Sequence, residues 1–480
     1  MENKNVVIVG AGMAGLSAAA YLAREKYNVL LLDKNDRCGG LVNTFEYDGL
    51  FFDSGPRAFV NSGMLKPILK DLGISGEFLE NKVSIGIEDQ LFRVDSMESL
   101  EDYQRILCKL YPENIEEIEK IISITAELSE VTKILYEFDN PNFIDFKNDP
   151  KFIFRKLIPW TIKFLFALRK MNQFDVPMEE FLKQYTDNQS LIDVLTQLFF
   201  RKTPTYFALG YFYVYLDYFY PKGGTTTLVN LLKEKIEVWG GEIQLKKHIV
   251  EIDPSKSVVI DSEGNHYPYD HLIWAADLKT LYRSLKLDGL SENAAKEIES
   301  EKQRLLSSKG AESVYILILD WADDFLKLNT FEVSIPALRD PALAPEGKTG
   351  LMISCLFDYQ IVEKIEKAGW YGEFKEFVED RIIRIFSESI YPDLNKDVLF
   401  KFSSTPLTIN KVSGSSEGAI TGWSFETDIP VMHVLKDIPK SALTPIPGVF
   451  QAGQWAYAPA GVPIAMLTGW HASQEVIKSV

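Results

Sequence analysis

The sequence predicts an α/β protein in which a domain built on a βαβ unit is interleaved with a second domain, part helical and part antiparallel sheet. Three observations carry that expectation. The chain opens on a short apolar strand, a glycine turn and an alanine-rich helix. Mixed strand and helix patterns return at 222–282 and again from Gly448 onward. The stretch between, 98–218, is poor in glycine and rich in Leu, Ile, Phe and Tyr, as packed helices are. No internal repeat or low-complexity linker separates these parts, so the domains interleave instead of following one another.

Each element follows from its local pattern. Asn5–Val9 is a buried strand, Leu16–Glu25 a helix and Asn28–Leu32 a second strand. Residues 83–94 alternate and turn at Glu88-Asp89, which predicts a hairpin. Thr225–Val238 reads as a helix, and 243–273 as strand–turn–strand around Ser262-Glu263-Gly264-Asn265. Strands are expected at 313–319, 350–357 and 398–425, a helix over about 370–390, and then strand, loop and helix in the tail. One domain therefore takes 1–82, 221–283 and 443–480, and the other 83–220 and 284–442.

Composition excludes several functions. The 480 residues are 46% apolar and 25% charged, which suits a globular protein with ordinary cores. The three cysteines, Cys38, Cys108 and Cys355, form no CxxC pair, so a thiol-redox centre, a zinc ribbon and an iron–sulfur site lack ligands. The five histidines show no metal-ligand spacing, so no metal is expected. With 51 basic against 68 acidic residues the net charge is −17, which repels phosphate backbones and argues against nucleic acid. No targeting segment or uncharged apolar run of spanning length is evident, so the expected location is the cytoplasm, with peripheral membrane contact. The sequence assigns no oligomeric state.

The chemistry lies in the glycines. Gly10-Ala11-Gly12-Met13-Ala14-Gly15 sits between a strand and a helix, the context a dinucleotide turn requires. There Gly10 makes the tight turn, Gly12 admits the pyrophosphate, and Gly15 lets helix and strand approach. Asp33, ending the second strand, is placed to accept from ribose hydroxyls. A second glycine pair follows at Arg37-Cys38-Gly39-Gly40, and then Phe51-Phe52-Asp53-Ser54-Gly55. Later come Pro221-Lys222-Gly223-Gly224, Gly240-Gly241 with Ile249, and a tail reading Gly453-Gln454-Trp455 and Gly461-Val462-Pro463. Pro463 suits a first helical turn, where no N–H is needed.

This order of motifs resembles the FAD-binding arrangement shared by amine oxidases, protoporphyrinogen oxidases and phytoene desaturases. The tail, with Thr405-Pro406 and Gly418-Ala419-Ile420, looks most like the phytoene desaturase, carotenoid isomerase and retinol saturase branch. Leu41 departs from the amine oxidases, which usually carry arginine there. The resemblance covers 5–60, 221–282 and roughly 404–477 and leaves 95–215 unmatched. It implies a Rossmann-like (GR2-type) FAD domain and a substrate domain, with FAD bound non-covalently. The implied cofactor residues are Gly10, Gly12, Met13, Ala14, Gly15, Asp33, Lys34, Arg37, Gly39, Gly40, Leu41, Gly55, Pro56, Arg57, Ile249, Gly453, Gln454, Gly461 and Val462. The implied activity is an oxidoreductase acting at C–C bonds of a large apolar isoprenoid, polyene or lipid-like substrate by hydride transfer at flavin N5, as desaturase, saturase or isomerase. Two alternatives stay open: an amine- or porphyrinogen-oxidase-type enzyme on a smaller polar substrate, and a non-catalytic binding protein on the same scaffold.

No residue stands out as a catalytic acid or base; Trp455 and Tyr457 are candidate chamber walls, and His471 on the tail helix could approach the flavin. Eleven aromatics between 199 and 221 would suit a tunnel for a long apolar molecule or, equally, a packed core. Tyr211, Tyr215 and Tyr218 share a helix face, so their hydroxyls need partners if buried. Residues 151–174 hold no acid but six bases, Lys151, Arg155, Lys156, Lys163, Arg169 and Lys170, among many apolar residues. That reversal in an acidic chain predicts an anionic-membrane contact at 151–171, with Trp160, Phe164 and Leu168 as its apolar part and Lys163 and Lys170 opposite; a core or dimer contact is the competing reading.

Overall fold

The computed structural model describes residues 4–479 except 89, 137, 145–151, 312, 316–329, 427, 432–434 and 459. Its first domain is centred on a five-stranded parallel sheet of β1 (Asn5–Val9), β2 (Asn28–Leu32), β3 (Glu242–Gln244), β4 (His271–Trp274) and β5 (Val449–Gln451), in the order β3-β2-β1-β4-β5. Register is exact along β1, with Val9 opposite Leu32 on one side and Trp274 on the other. The chain leaves β1 toward β2 and later returns on its other flank as β4, so a topological switch point lies at the carboxyl end of β1. That is where open α/β sheets bind their ligands.

The helices that place the site are α1 (Met13–Arg24), α2 (Ile115–Tyr136), α3 (Ile158–Gln173), α4 (Thr205–Val214), α5 (Thr226–Val238), α6 (Pro406–Ser413) and α7 (Val462–Lys478). Alanine and glycine let α1 be buried on nearly every side, between α5 and α7. The α1–α7 contact is close and antiparallel: a Cβ on Gly469 would lie 2.2 Å from the Ala14 carbonyl, and Ser17 Oγ donates to the Met466 carbonyl at 2.9 Å. A meander at 249–268 and a hairpin at 44–53 complete this domain.

The second domain pairs a helical layer with an antiparallel sheet of 313–315, 352–357 and 332–334. The strands 83–87 and 90–94 pair as a hairpin requires and the helix at 371–389 forms as expected, while Asp89 of the expected turn lies outside the described residues. Two expectations are corrected. The helix after the first glycine turn begins at Met13, not Leu16, because the turn delivers the chain directly into helical geometry. The segment 398–425 carries no named strand among its described residues; it holds α6, because Thr405 caps the helix, Pro406 presets its first turn and Gly414 ends it in left-handed geometry. Of the strand expected at 313–319, residues 313–315 form one and 316–319 lie outside the described residues.

The basic segment is also revised in detail. Trp160 turns inward, stacking on Phe138 at 4.3 Å and donating its indole N–H to the Ile134 carbonyl at 2.8 Å, and Phe164 packs beside it at 4.8 Å. Lys170 pairs with Glu127 at 2.6 Å. Lys151 lies outside the described residues.

His471 is 7% exposed and packs on Trp470. Burial first, then the nearby Lys478 charge, push its pKa down to about 4. The unfolded imidazole titrates near 6.5, so below that pH the unfolded chain binds more protons. Stability is therefore lost as pH falls from about 6.5 to about 4, by up to about 3 kcal/mol. Burial raises the pKa of Asp33, which acts with the opposite sign. Urea unfolding at about pH 7 and about pH 4 should show a flatter profile for His471→Gln than for the wild type; equal slopes would remove His471 as the cause.

Candidate cofactor site

The first glycine turn closes the carboxyl end of β1. Gly10 has φ +104°, and a Cβ there would lie 2.7 Å from the Ala275 carbonyl. A Cβ on Gly15 would lie 1.9 Å from the Gly10 carbonyl, so these two glycines are required by packing. Gly12 differs: a Cβ there meets nothing within 4 Å, and its position looks onto open space. Helix α1 starts at Met13 and Ala14 with no side-chain cap and no acid in its first turn, leaving its amide dipole end uncompensated. Asp33 Oδ2 accepts from the Ala11 amide at 2.6 Å and Oδ1 from Asn35 at 2.8 Å. Burial outweighs those hydrogen bonds and the Lys34 charge, raising the Asp33 pKa. Asp33 thus holds the turn, and its remaining lone pairs are available to a ribose.

The second turn lies against the first. The Gly39 amide donates to the Ala11 carbonyl at 2.7 Å, and a Cβ on Gly40 would come within 3.3 Å of Gly12 Cα. Both have positive φ, +110° and +60°. Asn43 clamps the turn, its Nδ2 donating to the Cys38 and Gly40 carbonyls at 3.1 Å. Gly55 passes so close to the Leu41 carbonyl that a Cβ would clash at 2.0 Å, and half-buried Pro56 follows. Arg37 is exposed and pairs with Asp36 at 3.1 Å. Arg57 reaches the second domain, donating to Ser354 Oγ at 2.6 Å and pairing with Glu332 at 3.3 Å. Lys34 runs to Gly414 at the end of α6, and burial lowers its pKa. Ile249 is buried on the strand brought to Asp33 by the Lys247 amide, which donates to the Asp33 carbonyl at 2.8 Å.

The tail supplies the third side. Gly453, at φ +103°, donates its amide to Thr468 Oγ1 at 2.9 Å and faces Ala14. Gln454 turns to the 415–419 loop, its Nε2 donating to the Ala419 carbonyl at 3.1 Å. Trp455 packs edge-on against Trp423 at 4.8 Å in a core behind the turn. Tyr457 is buried on the α1–α7 side, within electrostatic reach of Tyr206 and Tyr136. Gly461 precedes α7, whose start at Val462 has neither a side-chain cap nor an acid. His471 lies about 14 Å along α7 from that end, at 1.5 Å per residue.

The site thus has two uncapped helix amide ends, an open place over Gly12 and a carboxylate at the end of β2. These fit a dinucleotide with a pyrophosphate and an electron-rich ring edge. Asp53, quoted in the run from Phe51 to Gly55 but given no role there, is buried, accepts from Thr44, Thr225 and Tyr220 and ties the 44–53 hairpin to the start of α5. Motif reading missed Asn43 and Thr468. No glycine or charge pattern marks them: Asn43 acts on carbonyls three and five residues before it, and Thr468 on an amide fifteen residues before it.

Beyond Tyr457 lies a tyrosine wall. The three tyrosines do not share a helix face as expected, because α4 ends at Val214, Tyr215 lies in a 3-10 turn and Tyr218 begins a strand; that turn still brings the Tyr211 and Tyr218 hydroxyls together at 2.7 Å. The rings of Tyr136, Tyr206, Tyr211, Tyr215 and Tyr218 keep accessible surface. Yet desolvation raises every one of their pKa values, that of Tyr206 to about 12. These half-buried tyrosines lie together, and their phenols are neutral at physiological pH.

A family model described as flavin containing amine oxidoreductase matches residues 13–477. The chain is 22% identical over 544 residues to the phytoene desaturase of Fusarium fujikuroi, covering 99% of this chain and 89% of that protein. It is 23% identical over 462 residues to the 4,4'-diapolycopene oxygenase of Methylomonas sp, covering 88% of each. The solved structure of an oxidoreductase from Methanosarcina mazei superposes with a TM-score of 0.61 at 14% identity, over 99% of this chain and all of that one.

Proposed function

The chain belongs to the flavin-containing amine oxidoreductase family and is an FAD-dependent oxidoreductase of phytoene desaturase-like type, and we propose that it acts on C–C bonds of a long apolar isoprenoid or polyene. The observation that carries this reading is the cluster of half-buried tyrosines beside Tyr457, which is aromatic and offers neutral hydroxyls. Aromatic rings give rigid apolar contact area along a polyene, and a neutral phenol costs little to leave beside one. FAD, when bound, supplies the two-electron chemistry, hydride uptake or return at N5.

The chain's residues do the rest. Gly12, Met13, Ala14 and Gly15 admit and hold the pyrophosphate at the α1 amide end, with Gly39, Gly40, Leu41, Gly55 and Gly453 shaping the wrap around it. Asp33 accepts from the ribose, and the α7 end at Gly461 and Val462 places a positive dipole where the reduced ring gathers negative charge. Tyr457, Tyr206 and Tyr136 exclude water and orient the chain of the substrate.

Anaerobic mixing of the yellow holoenzyme with a detergent-dispersed polyene hydrocarbon tests the reading. Flavin absorbance should bleach, or the polyene spectrum shift, and Tyr457→Ala should slow this on the order of tenfold or more by loosening the chamber. Bleaching by a primary amine or a porphyrinogen, with no response to the polyene, would overturn it.

A further inference from the structure

We propose that Arg57 and Arg339 form a carboxylate-binding site beside the tyrosine cluster, so that the apolar substrate carries a carboxylate at one end; the nature of its chain rests on the function proposed above. The two arginines come from different domains and lie within electrostatic reach of each other. Arg57 follows Gly55 and Pro56 of the first domain, and its side chain is 13% exposed. Arg339 belongs to the second domain, shortly after the strand at 332–334. Asn81 ties them together. Its Nδ2 donates to the Arg57 carbonyl at 3.3 Å, and its Oδ1 accepts from Arg339 Nε at 2.6 Å.

The groups around the pair leave positive charge over. Arg339 bonds to neutral partners, Asn81 and Ser334 Oγ, the latter at 3.0 Å, and lies over the Tyr220 ring at 5.0 Å. Among the described residues no carboxylate pairs with it. The nearby acids are engaged elsewhere: Asp53 accepts from Thr44, Thr225 and Tyr220, and Asp340 from the Gly223 and Ala342 amides. Arg339 Nη1 and Arg57 Nε are buried with no acceptor among the described residues. A buried donor without an acceptor costs free energy, and a buried cation without a counter-charge costs more. Burial accordingly lowers the Arg339 pKa. A carboxylate offers two acceptor oxygens and one negative charge, which is what this pair lacks.

The chain's own Glu332 shows the chemistry that Arg57 accepts. Its carboxylate pairs with Arg57 Nη1 at 3.3 Å, beside the bond from that nitrogen to Ser354 Oγ at 2.6 Å. The Glu332 side chain is 62% exposed. An ion pair so exposed contributes little, so a competing carboxylate can replace it. The replacement would sit on Arg57 and give Arg339 its counter-charge. Glu332 is also within electrostatic reach of Tyr211, Tyr215 and Tyr218, and the Tyr218 carbonyl accepts from the Asn81 amide at 3.3 Å. A head group on the arginines thus leaves its apolar chain beside the tyrosine rings, which suit such a chain.

Binding of all-trans-retinoic acid and of its methyl ester to the yellow holoenzyme, read by tryptophan fluorescence quenching, tests the site. At about pH 8 a free carboxyl is ionised. The acid should then bind on the order of tenfold or more tighter than the ester. Arg339→Gln should bring the acid to the affinity of the ester and leave the ester unchanged, while Arg339→Lys keeps part of the preference. Glu332→Gln removes the competitor, so it should tighten the acid by roughly twofold to tenfold and leave the ester alone. Equal binding of acid and ester by the wild type would overturn the proposal, as would a preference that survives in folded, yellow Arg339→Gln. If Arg339→Gln does not fold, Glu332→Gln decides, and unchanged or weaker acid binding there overturns the site. Palmitate separates the sources of the carboxylate: the site stands with a polyene acid if palmitate competes weakly, and equal competition overturns the polyene assignment. Flavin bleaching by a polyene hydrocarbon without acid preference overturns the carboxylate site alone. Acid preference without bleaching by any polyene overturns the assigned chemistry alone.

Discussion

Gly12→Val should yield a folded, colourless protein. The backbone at Gly12 has φ −73° and ψ −178°, an extended conformation a valine adopts without strain. A Cβ there meets no protein atom within 4 Å, so the polypeptide itself has room for the side chain. The space filled is the one proposed above for the pyrophosphate, between the amide end of α1 and the second glycine turn. FAD affinity should fall by on the order of a thousandfold or more, about 4 kcal/mol. The check is flavin content per chain together with thermal unfolding with and without added FAD. The wild type should gain stability with FAD by mass action and the variant should not, while the two apoproteins melt alike. Retention of FAD in the variant would show that this turn does not hold the phosphates.

Gly469→Val should instead cost the fold. The same kind of built Cβ lies 2.2 Å from the Ala14 carbonyl and 3.1 Å from Ser17 Cβ, and both obstacles belong to the buried helix α1. Neither can rotate away. Helices α1 and α7 must separate, which removes the Ser17–Met466 hydrogen bond and opens the core shared by Leu16, Met466 and Ala472. A loss exceeding about 4 kcal/mol is expected, at the upper end for a single overpacking change. Urea unfolding or the soluble yield measures it. Gly461→Ala is the control, because that residue is extended at φ −174° and a Cβ there meets only Pro463 at 3.9 Å; it should leave stability within about 0.5 kcal/mol of wild type. Equal stability of Gly469→Val would mean the two helices pack more loosely than the contact indicates.

The contrast between these two glycines marks what sequence reading reaches. Gly10, Gly12 and Gly15 are legible because a turn between a strand and a helix fixes their spacing locally, and each has a separate steric task. Gly469 has no such context; it reads as a small residue inside a helix, and only the arrival of α1 from the other end of the chain makes it indispensable. Likewise Asp33 is legible by its distance from the turn, while Asn43 and Thr468, which brace the second turn and Gly453, follow no spacing.

The same division holds for the substrate side. The acid-free, basic and apolar character of 152–174 is written in the sequence, but helical periodicity alone put Trp160 and Phe164 on the outer face. They face inward because Phe138 and the Ile134 carbonyl at the end of α2 offer them a ring and an acceptor, which leaves Phe154, Leu165 and Phe166 outside. The sequence by itself determined the βαβ start, the dinucleotide turn and the helical middle, since hydrophobic period and glycine geometry act over a few residues. Which face of α3 is covered, that Trp455 packs against Trp423 while Tyr457 meets the tyrosine wall, and that 398–425 winds into α6 were decided only by tertiary structure. In each case two faces of similar composition compete for burial, and the winner is set by partners brought from distant parts of the chain, whose packing and hydrogen bonds outweigh local preference.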